Sequence, residues 1–350
     1  FKNHYSQLVI ATGAISITPP IPGIHLKNIL TLRNIEDGIK IKQKLSSGNI
    51  KKAAILGAGF IGLEMAEALR KRNVEVTIFE MLPQILPQLD PELSNIVVEE
   101  LTRNNVKLLT NTKVIGFEGS NHAVSKVVTE DEVYDADMVL VSVGVRANTE
   151  LAKKAGIKTG LKGAIIVDKQ MRTNLPNIWA CGDCVEGFHR LTNQTVYMPL
   201  GTTANKQGKI VGDNVLGQNI TFSGVLGTQV TKIFDTFVAT TGLNQSQAIA
   251  AGFEAVSATI RHGDRAGYYP GQRPIYITIT MDKNNGKILG AQLVGSEGVA
   301  KRVDVFVTAI TAGMTVYQLN ELDLAYAPPV SPVYDPILIS ASVGIKKIQH

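Results

Sequence analysis

The sequence predicts an α/β fold over its first two-thirds, followed by an α+β unit of its own. Three observations carry this. From Lys51 onward an apolar strand, a glycine-rich turn, a helix-periodic stretch and a second strand follow one another within about 30 residues, the size of a βαβ unit. From about Gly224 the pattern changes to β-branched runs alternating with helical stretches. At 350 residues and 44% hydrophobic, the chain has the length and apolar content for two or three domains.

Taken in order, residues 8–14 form an apolar run, and Pro19, Pro20 and Pro22 then forbid regular structure. This reads as one buried strand and an extended crossing segment, the end of a domain rather than a beginning. Strand 53–56, turn 57–62, helix 63–71 and strand 74–79 make the βαβ unit. A helix over 91–104 and strands near 106–109, 114–117, 123–129 and 138–143 complete a compact domain at 35–147. Short strands at 164–167 and 178–180 and a helix at 202–216 follow. In the last third, strands 234–241, 255–260, 276–282 and 288–295 alternate with helices 244–251 and 298–312. Asn284, Asn285 and Gly286 make the tight turn between two of those strands, because Asn-Gly tolerates positive φ.

Composition removes several function classes. Lys and Arg number 35 against 30 Asp and Glu, a formal charge of +5, but the basic residues are scattered, so no nucleic-acid partner is expected. The apolar stretch 138–145 falls far short of the ~18 residues a membrane span needs, so no membrane partner is expected either. Two cysteines cannot build a disulfide framework, which points to a reducing, cytoplasmic setting. The chain opens on Phe1 rather than Met, without a signal-peptide pattern, and its natural N-terminus is expected to lie upstream.

Gly57-Ala58-Gly59-Phe60-Ile61-Gly62 follows a strand and opens a helix. The glycines then allow a tight turn, close approach to a pyrophosphate and helix-on-strand contact, while the helix N-terminus faces the phosphates. Glu80 ends the second strand 18 residues after Gly62, where a carboxylate can accept hydrogen bonds from an adenosine ribose. Met81 follows rather than an Arg that would welcome a 2′-phosphate, which favours NADH, with NADPH possible. The plainer reading is that the glycines pack a helix on a strand and Glu80 is a solvated strand end.

Residues 8–14, the 57–62 fingerprint extended by Glu64, Val143-Gly144-Val145-Arg146, and Trp179-Ala180-Cys181-Gly182-Asp183 resemble, in order, the motifs of FAD-dependent pyridine nucleotide-disulfide oxidoreductases. The resemblance covers the whole chain. It implies Rossmann-like FAD- and NAD(P)-binding domains plus an α+β C-terminal dimerisation domain. The FAD domain would be split between 1–34 and 148–223, around an NAD(P)-binding domain at 35–147, with the dimerisation domain at 224–350. It assigns cofactor contacts to Ala11, Thr12, Gly13, Gly144, Gly182, Asp183, Gly201, Thr202 and Thr203. Asp183 would hold the flavin ribityl chain, a role compatible with capping a helix. The N-terminus of helix 202–216 would face the flavin pyrimidine. Phe60 resembles the aromatic gate over the flavin, or else packs in a core, and Glu64 a carboxylate near the nicotinamide.

No C-terminal histidine is followed by glutamate: His350 ends the chain and His262 stands in a different pattern. The tail, residues 322–336, resembles instead the single-cysteine branch of coenzyme A-disulfide reductases, persulfide or polysulfide reductases, NADH oxidases and NADH peroxidases. Residues 265–271 with Tyr326 resemble the disulfide-reductase members, in which two tyrosines of the partner subunit reach the catalytic sulfur. Tyr268 and Tyr326 are the candidates, with Tyr269 as neighbour, and a phenol can give a proton to a leaving thiolate. The alternative is a pair of interface tyrosines. Lys301 and Arg302 would attract coenzyme phosphates or be solvated surface charge. The nucleophilic cysteine and the first FAD fingerprint are expected upstream, so Cys181 and Cys184, despite C-x-x-C spacing, are not expected to be a redox pair or a metal site. Ala147 stands where the family commonly has proline.

The expectation is a homodimeric flavoenzyme that passes hydride from NAD(P)H through FAD to a disulfide or persulfide such as coenzyme A disulfide. The alternatives are an NADH oxidase or peroxidase that reduces O2 or H2O2, and a non-catalytic NAD-binding fragment.

Overall fold

The computed structural model describes residues 4–349; Phe1 and His350, which both entered the sequence reading, lie outside the described residues. The chain divides into two compact units, one formed by Phe1–Ile17 with Gly144–Gly227 and the other by Thr18–Val143 with Thr228–His350.

The larger unit is built on a parallel five-stranded sheet in the order Ile29–Thr31, Met138–Val141, Lys52–Leu56, Glu75–Phe79, Val106–Leu109. Its central strands read as unbroken apolar runs because both faces are covered: Ala53 to Leu56 and Met138 to Val141 are all buried. Helices Ile35–Ser46, Phe60–Arg70 and Pro91–Arg103 accompany it, with a small antiparallel sheet of Val114–Ser120, Ala123–Thr129 and Val133–Asp135. Ile29–Thr31 pairs with Met138–Val141, so the sheet draws a strand from upstream of residue 35.

The same unit holds a second, antiparallel sheet ordered Gln229–Ile233, Thr236–Gly242, Ile288–Gly295, Pro274–Asp282, Ala255–Gly263, with helices Val299–Ala312 and Pro336–Gln349. Gly286 takes φ 71° in the turn before Ile288, and Asn285 donates to Asp282 there at 2.7 Å. The strand expected from residue 234 starts two residues later. Phe234 is the turn residue, at φ 52°, and is nevertheless buried, and Gln229–Ile233 precedes it as a strand the sequence reading missed.

In the smaller unit Leu8–Ile10 runs parallel to Ile178–Ala180, and Ala14–Ser16 pairs antiparallel with Val145–Ala147. The single buried strand expected over 8–14 is therefore two short ones, broken where Gly13 takes φ 67°, and Val9 is 43% exposed. The strand expected at 164–167 does not form. Ile165 makes only isolated bridges to Thr159 and Val185. Helix Gly201–Val215 completes the unit. Among the described residues no helix is long and apolar enough to cross a membrane.

Within the larger unit the two sheets share one core. Ile233, Phe234, Val238 and Val294 pack in the same cluster as Leu63, Ala66 and Leu69 of helix Phe60–Arg70. Polar ties cross the same seam. Glu67 accepts from the Phe234 N–H at 2.7 Å and from Lys232 at 3.2 Å, Glu64 from Thr231 Oγ1 at 2.5 Å, and the buried Glu100 from the Asp235 N–H at 3.1 Å. Burial alone would raise the Glu67 carboxyl pKa, but hydrogen bonds from Lys71, Phe234 and Lys232 outweigh it and hold it below the usual 4.5. A depressed carboxyl adds stability above its unfolded pKa, and that contribution is lost as pH falls through the folded value. Glu67→Ala is expected to cost about 1–3 kcal/mol, read as a lowered denaturant midpoint, because it leaves the Phe234 N–H unpaired. Glu67→Gln is expected to flatten the loss of stability that the wild type shows as pH falls below about 4.5.

Candidate functional site

The glycine-rich turn is built by close approach. Gly57 holds φ 97°, and a Cβ there would meet the Ser142 carbonyl at 2.7 Å. A Cβ on Gly62 would collide with the Gly57 carbonyl and lie 2.9 Å from Ser142 Oγ, so helix Phe60–Arg70 rests directly on the turn. Gly59, the N-cap, has nothing within 4 Å of its Cβ position and no capping side-chain hydrogen bond, so the first-turn N–H groups are uncapped by side chains beside an open turn. Glu80 is fixed beside them: one carboxylate oxygen accepts from the Ala58 N–H at 2.8 Å and the other from the Leu82 N–H at 2.9 Å. Ile61 and Met81 are exposed on this edge, at 46% and 65%. Ser142 is a residue the sequence reading missed. Its hydroxyl donates to the Leu56 and Gly57 carbonyls at 2.8 and 3.1 Å, and nothing in its own neighbourhood marks a serine 80-odd residues downstream as part of the turn.

Two fingerprint-helix residues have structural partners. Phe60 is half-buried against the shared core, and Glu64 hydrogen-bonds Thr231 on the facing hairpin.

In the smaller unit, Thr12 donates from Oγ1 to the Asn148 carbonyl at 2.5 Å, and Asn148 N–H donates to the Gly13 carbonyl at 2.9 Å, which stitches Ala11, Thr12 and Gly13 beside the strand begun at Val145. Gly144 takes φ 112° and accepts from the Ile17 N–H at 2.9 Å. Gly182 takes φ 81° and donates to Gln207 Oε1 at 2.9 Å. Gly182, Asp183 and Thr203 line one small pocket with Gln207, Met198 and Val225. Helix Gly201–Val215 begins one residue earlier than expected. Leu200, its N-cap, offers no side-chain hydrogen bond, so the Gly201 and Thr202 end is unblocked by the chain's own side chains.

Cys181 and Cys184 are both free and buried. Burial, with the neighbouring Cys184, pushes the Cys181 thiol up to about 11, the opposite of what a nucleophilic thiolate needs. Cys184 contacts the Ile10 and Cys181 carbonyls at 3.6 and 3.2 Å. Among the described residues no group of three or more His, Cys, Asp or Glu is arranged to hold a metal ion.

The tyrosines 58 residues apart meet: the Tyr268 and Tyr326 hydroxyls lie 2.9 Å from each other. They line a cavity of about 300 Å³ with His262, Val333, Tyr334 and Ile339. The hydrogen bond with Tyr268, with burial a smaller cause, raises the Tyr326 pKa above its usual 10, so Tyr326 keeps its proton at neutral pH. Tyr269 is 39% exposed beside it. Arg302 corrects the sequence reading. It is 7% exposed and paired with Asp335, so it is not free to meet a phosphate, and the exposed Lys301 pairs with Asp304.

Residues 1–208 match the family described as pyridine nucleotide-disulphide oxidoreductase, and residues 228–336 match its dimerisation domain. The chain belongs to the pyridine nucleotide-disulphide oxidoreductases. This oxidoreductase is 40% identical to a protein of Methanocaldococcus jannaschii named NADH oxidase, over 100% of this chain and 78% of that protein. It is 37% identical to the NAD(P)H sulfur oxidoreductase (CoA-dependent) of Pyrococcus furiosus, over 97% of this chain and 76% of that one. It superposes with a TM-score of 0.95 and 42% identity on the structure of an NAD-dependent persulfide reductase from A. fulgidus, covering 99% of this chain but 65% of that one. The chain thus spans under two-thirds of that structure's length.

Membership brings NAD(P)H and FAD as cofactors, and the residues fit them. The open turn at Gly59 with its uncapped N–H groups suits a pyrophosphate, and the polar pocket at Gly182, Asp183 and Thr203 beside an uncapped helix suits a flavin chain and ring edge. With its thiol held protonated, Cys181 is expected to resist alkylation by iodoacetamide at pH 8 in the native protein and to react fully after denaturation, as peptide mass spectrometry reads.

Proposed function

We propose that this oxidoreductase passes reducing equivalents from NAD(P)H through FAD to a disulfide or persulfide, with coenzyme A disulfide as the representative substrate. The observation that carries the reading is the 2.9 Å contact between the Tyr268 and Tyr326 hydroxyls on an open cavity. Splitting a sulfur–sulfur bond releases a thiolate, and a phenol kept protonated at neutral pH is an acid positioned for it.

When bound, the nicotinamide and flavin supply hydride transfer. The chain's own residues do the rest. Gly57, Gly59, Gly62 and the helix end from Phe60 and Ile61 hold the pyrophosphate, with Glu80 beside them to receive ribose hydroxyls, a setting that favours NADH. Ala11, Thr12, Gly13, Gly144, Gly182, Asp183 and the helix end at Gly201, Thr202 and Thr203 serve the flavin. Glu64 and Phe60 act near the nicotinamide. The domains are proposed as FAD-binding at 1–34 and 148–223, NAD(P)-binding at 35–147, whose sheet also takes in strand Ile29–Thr31, and dimerising at 224–350, the last supported by the family match at 228–336. A homodimer in the cytoplasm suits two buried, unpaired cysteines.

Reduction of oxygen or peroxide is the second reading, favoured by the name of the Methanocaldococcus relative. Steady-state assays of the full-length protein with coenzyme A disulfide, polysulfide, peroxide and oxygen separate the two. Peroxide or oxygen turned over faster than every disulfide would reject the first. With Tyr268 and Tyr326 both replaced by Phe, disulfide turnover is expected to fall about 100-fold, the low end for a lost general acid, while anaerobic bleaching of the flavin by NADH keeps its rate.

A further inference from the structure

We propose that Arg302 and Asp335 are positioning residues for the tyrosine pair: a buried ion pair that holds two separate loops in the one arrangement that brings Tyr268 and Tyr326 together. The inference rests on the proposed disulfide or persulfide chemistry.

Tyr268 and Tyr326 are 75% and 45% exposed, so packing around their own rings does little to place them. Their placement must come from the loops that carry them. The first loop follows strand Ala255–Gly263 and is anchored by Asp264. That side chain is 2% exposed and accepts from Ser296 Oγ at 2.8 Å, the Arg273 N–H at 3.0 Å and Arg265 Nε at 3.2 Å. Burial alone would raise the Asp264 pKa, but these donors outweigh it and hold the carboxyl below its ordinary value, so this anchor stays charged. The second loop runs from Tyr326 into helix Pro336–Gln349 and is anchored by Asp335. Its carboxylate accepts from Ser331 Oγ and from the Ile337 N–H, each at 2.9 Å.

Arg302, on helix Val299–Ala312, joins the two anchors. Its Nε donates to both Asp335 oxygens at 3.0 and 3.1 Å, and its Nη2 donates to the Asp264 backbone carbonyl at 2.9 Å while lying 2.9 Å from Asp335 Oδ2. One further strut, the Ala266 N–H to the Pro328 carbonyl at 3.3 Å, links the loops directly.

Burying two charges is costly in water, and an apolar pair of similar volume often stabilises a fold equally well. A planar guanidinium does what an apolar pair does not: it fixes direction, because its donors lie in one rigid fork. Lysine keeps the charge but has no such fork, so Arg302→Lys separates charge from direction. Holding two hydroxyls within one hydrogen bond needs tolerances well under an ångström, and displacements on that scale cost large factors in rate.

The test uses the full-length holoenzyme, with coenzyme A disulfide as acceptor. Arg302→Lys is expected to lower kcat/KM for the disulfide about 10-fold or more while anaerobic flavin reduction by NADH stays within about twofold. Combined with the Tyr268→Phe, Tyr326→Phe pair, it is expected to add almost nothing, because the groups it positions are already gone. Full additivity, or an equal loss in flavin reduction, overturns the proposal. Ser331→Ala removes one donor to Asp335 and leaves the ion pair in place. It is expected to give a smaller loss in the same half-reaction with the same non-additivity, and so covers the case in which Arg302→Lys does not fold. A wild-type enzyme that reduces no disulfide or persulfide overturns the underlying reading and the inference with it. A wild-type enzyme that does, alongside additive variants, overturns the inference alone.

Discussion

Helix Phe60–Arg70 is the element on which the larger unit depends, because its N-terminus, its buried face and its two glutamates do different work at once. Its N-terminus rests on the Gly57 carbonyl with no room for a side chain at Gly62. Its apolar face, Leu63, Ala66 and Leu69, is buried in a core shared by the parallel sheet and the antiparallel sheet. Glu64 and Glu67 then tie the same helix to the hairpin at Thr231 and Phe234. A helix held this way cannot shift its first turn without disturbing both sheets. The open N–H groups at Gly59 are thus presented in a fixed direction, which is what a phosphate site needs if binding is not to spend energy on ordering it.

Burial sorts the chain's reactive groups by what they can do. The two thiols lie inside, where the low dielectric keeps the Cys181 proton on and removes it as a nucleophile. The phenols stand at the surface of a cavity, where each hydroxyl is reachable and the hydrogen bond between them raises the Tyr326 pKa. Phenol protons stand on the outside, and the Cys181 thiol is held protonated on the inside. The C-x-x-C spacing, taken without burial, suggests the reverse.

The parts of this fold legible in the sequence are those that local rules dictate. Strands 106–109, 123–129, 178–180 and 288–295 agree residue for residue with the observed Val106–Leu109, Ala123–Thr129, Ile178–Ala180 and Ile288–Gly295, because each is an apolar or alternating run closed by turn residues. The glycine turn and Glu80 come together because their spacing follows from one βαβ unit. What failed depended on distant partners. Phe234 looked like a strand residue because it is large and apolar, yet it sits at positive φ in a turn, where the shared core wants its ring. Helix Ile35–Ser46 carries a local signal, a capping box from Asn34 to Asp37, but it stands between stronger patterns that mask it. Arg302 resembled a surface cation because nothing within its own helix reveals Asp335, 33 residues on.

Under the proposed disulfide chemistry, the tyrosine pair also limits how protons are delivered. Of two phenols joined by one hydrogen bond, one spends its proton on the other, so the pair has a single proton to offer outward at a time. A sulfur–sulfur bond that opens into two thiolates asks for two. Because both rings are exposed, the spent hydroxyl can refill from bulk water between the two departures. Under the disulfide chemistry proposed above, the pair is a one-proton dispenser reloaded by solvent, and the two thiolates of a cleaved disulfide are protonated one after the other.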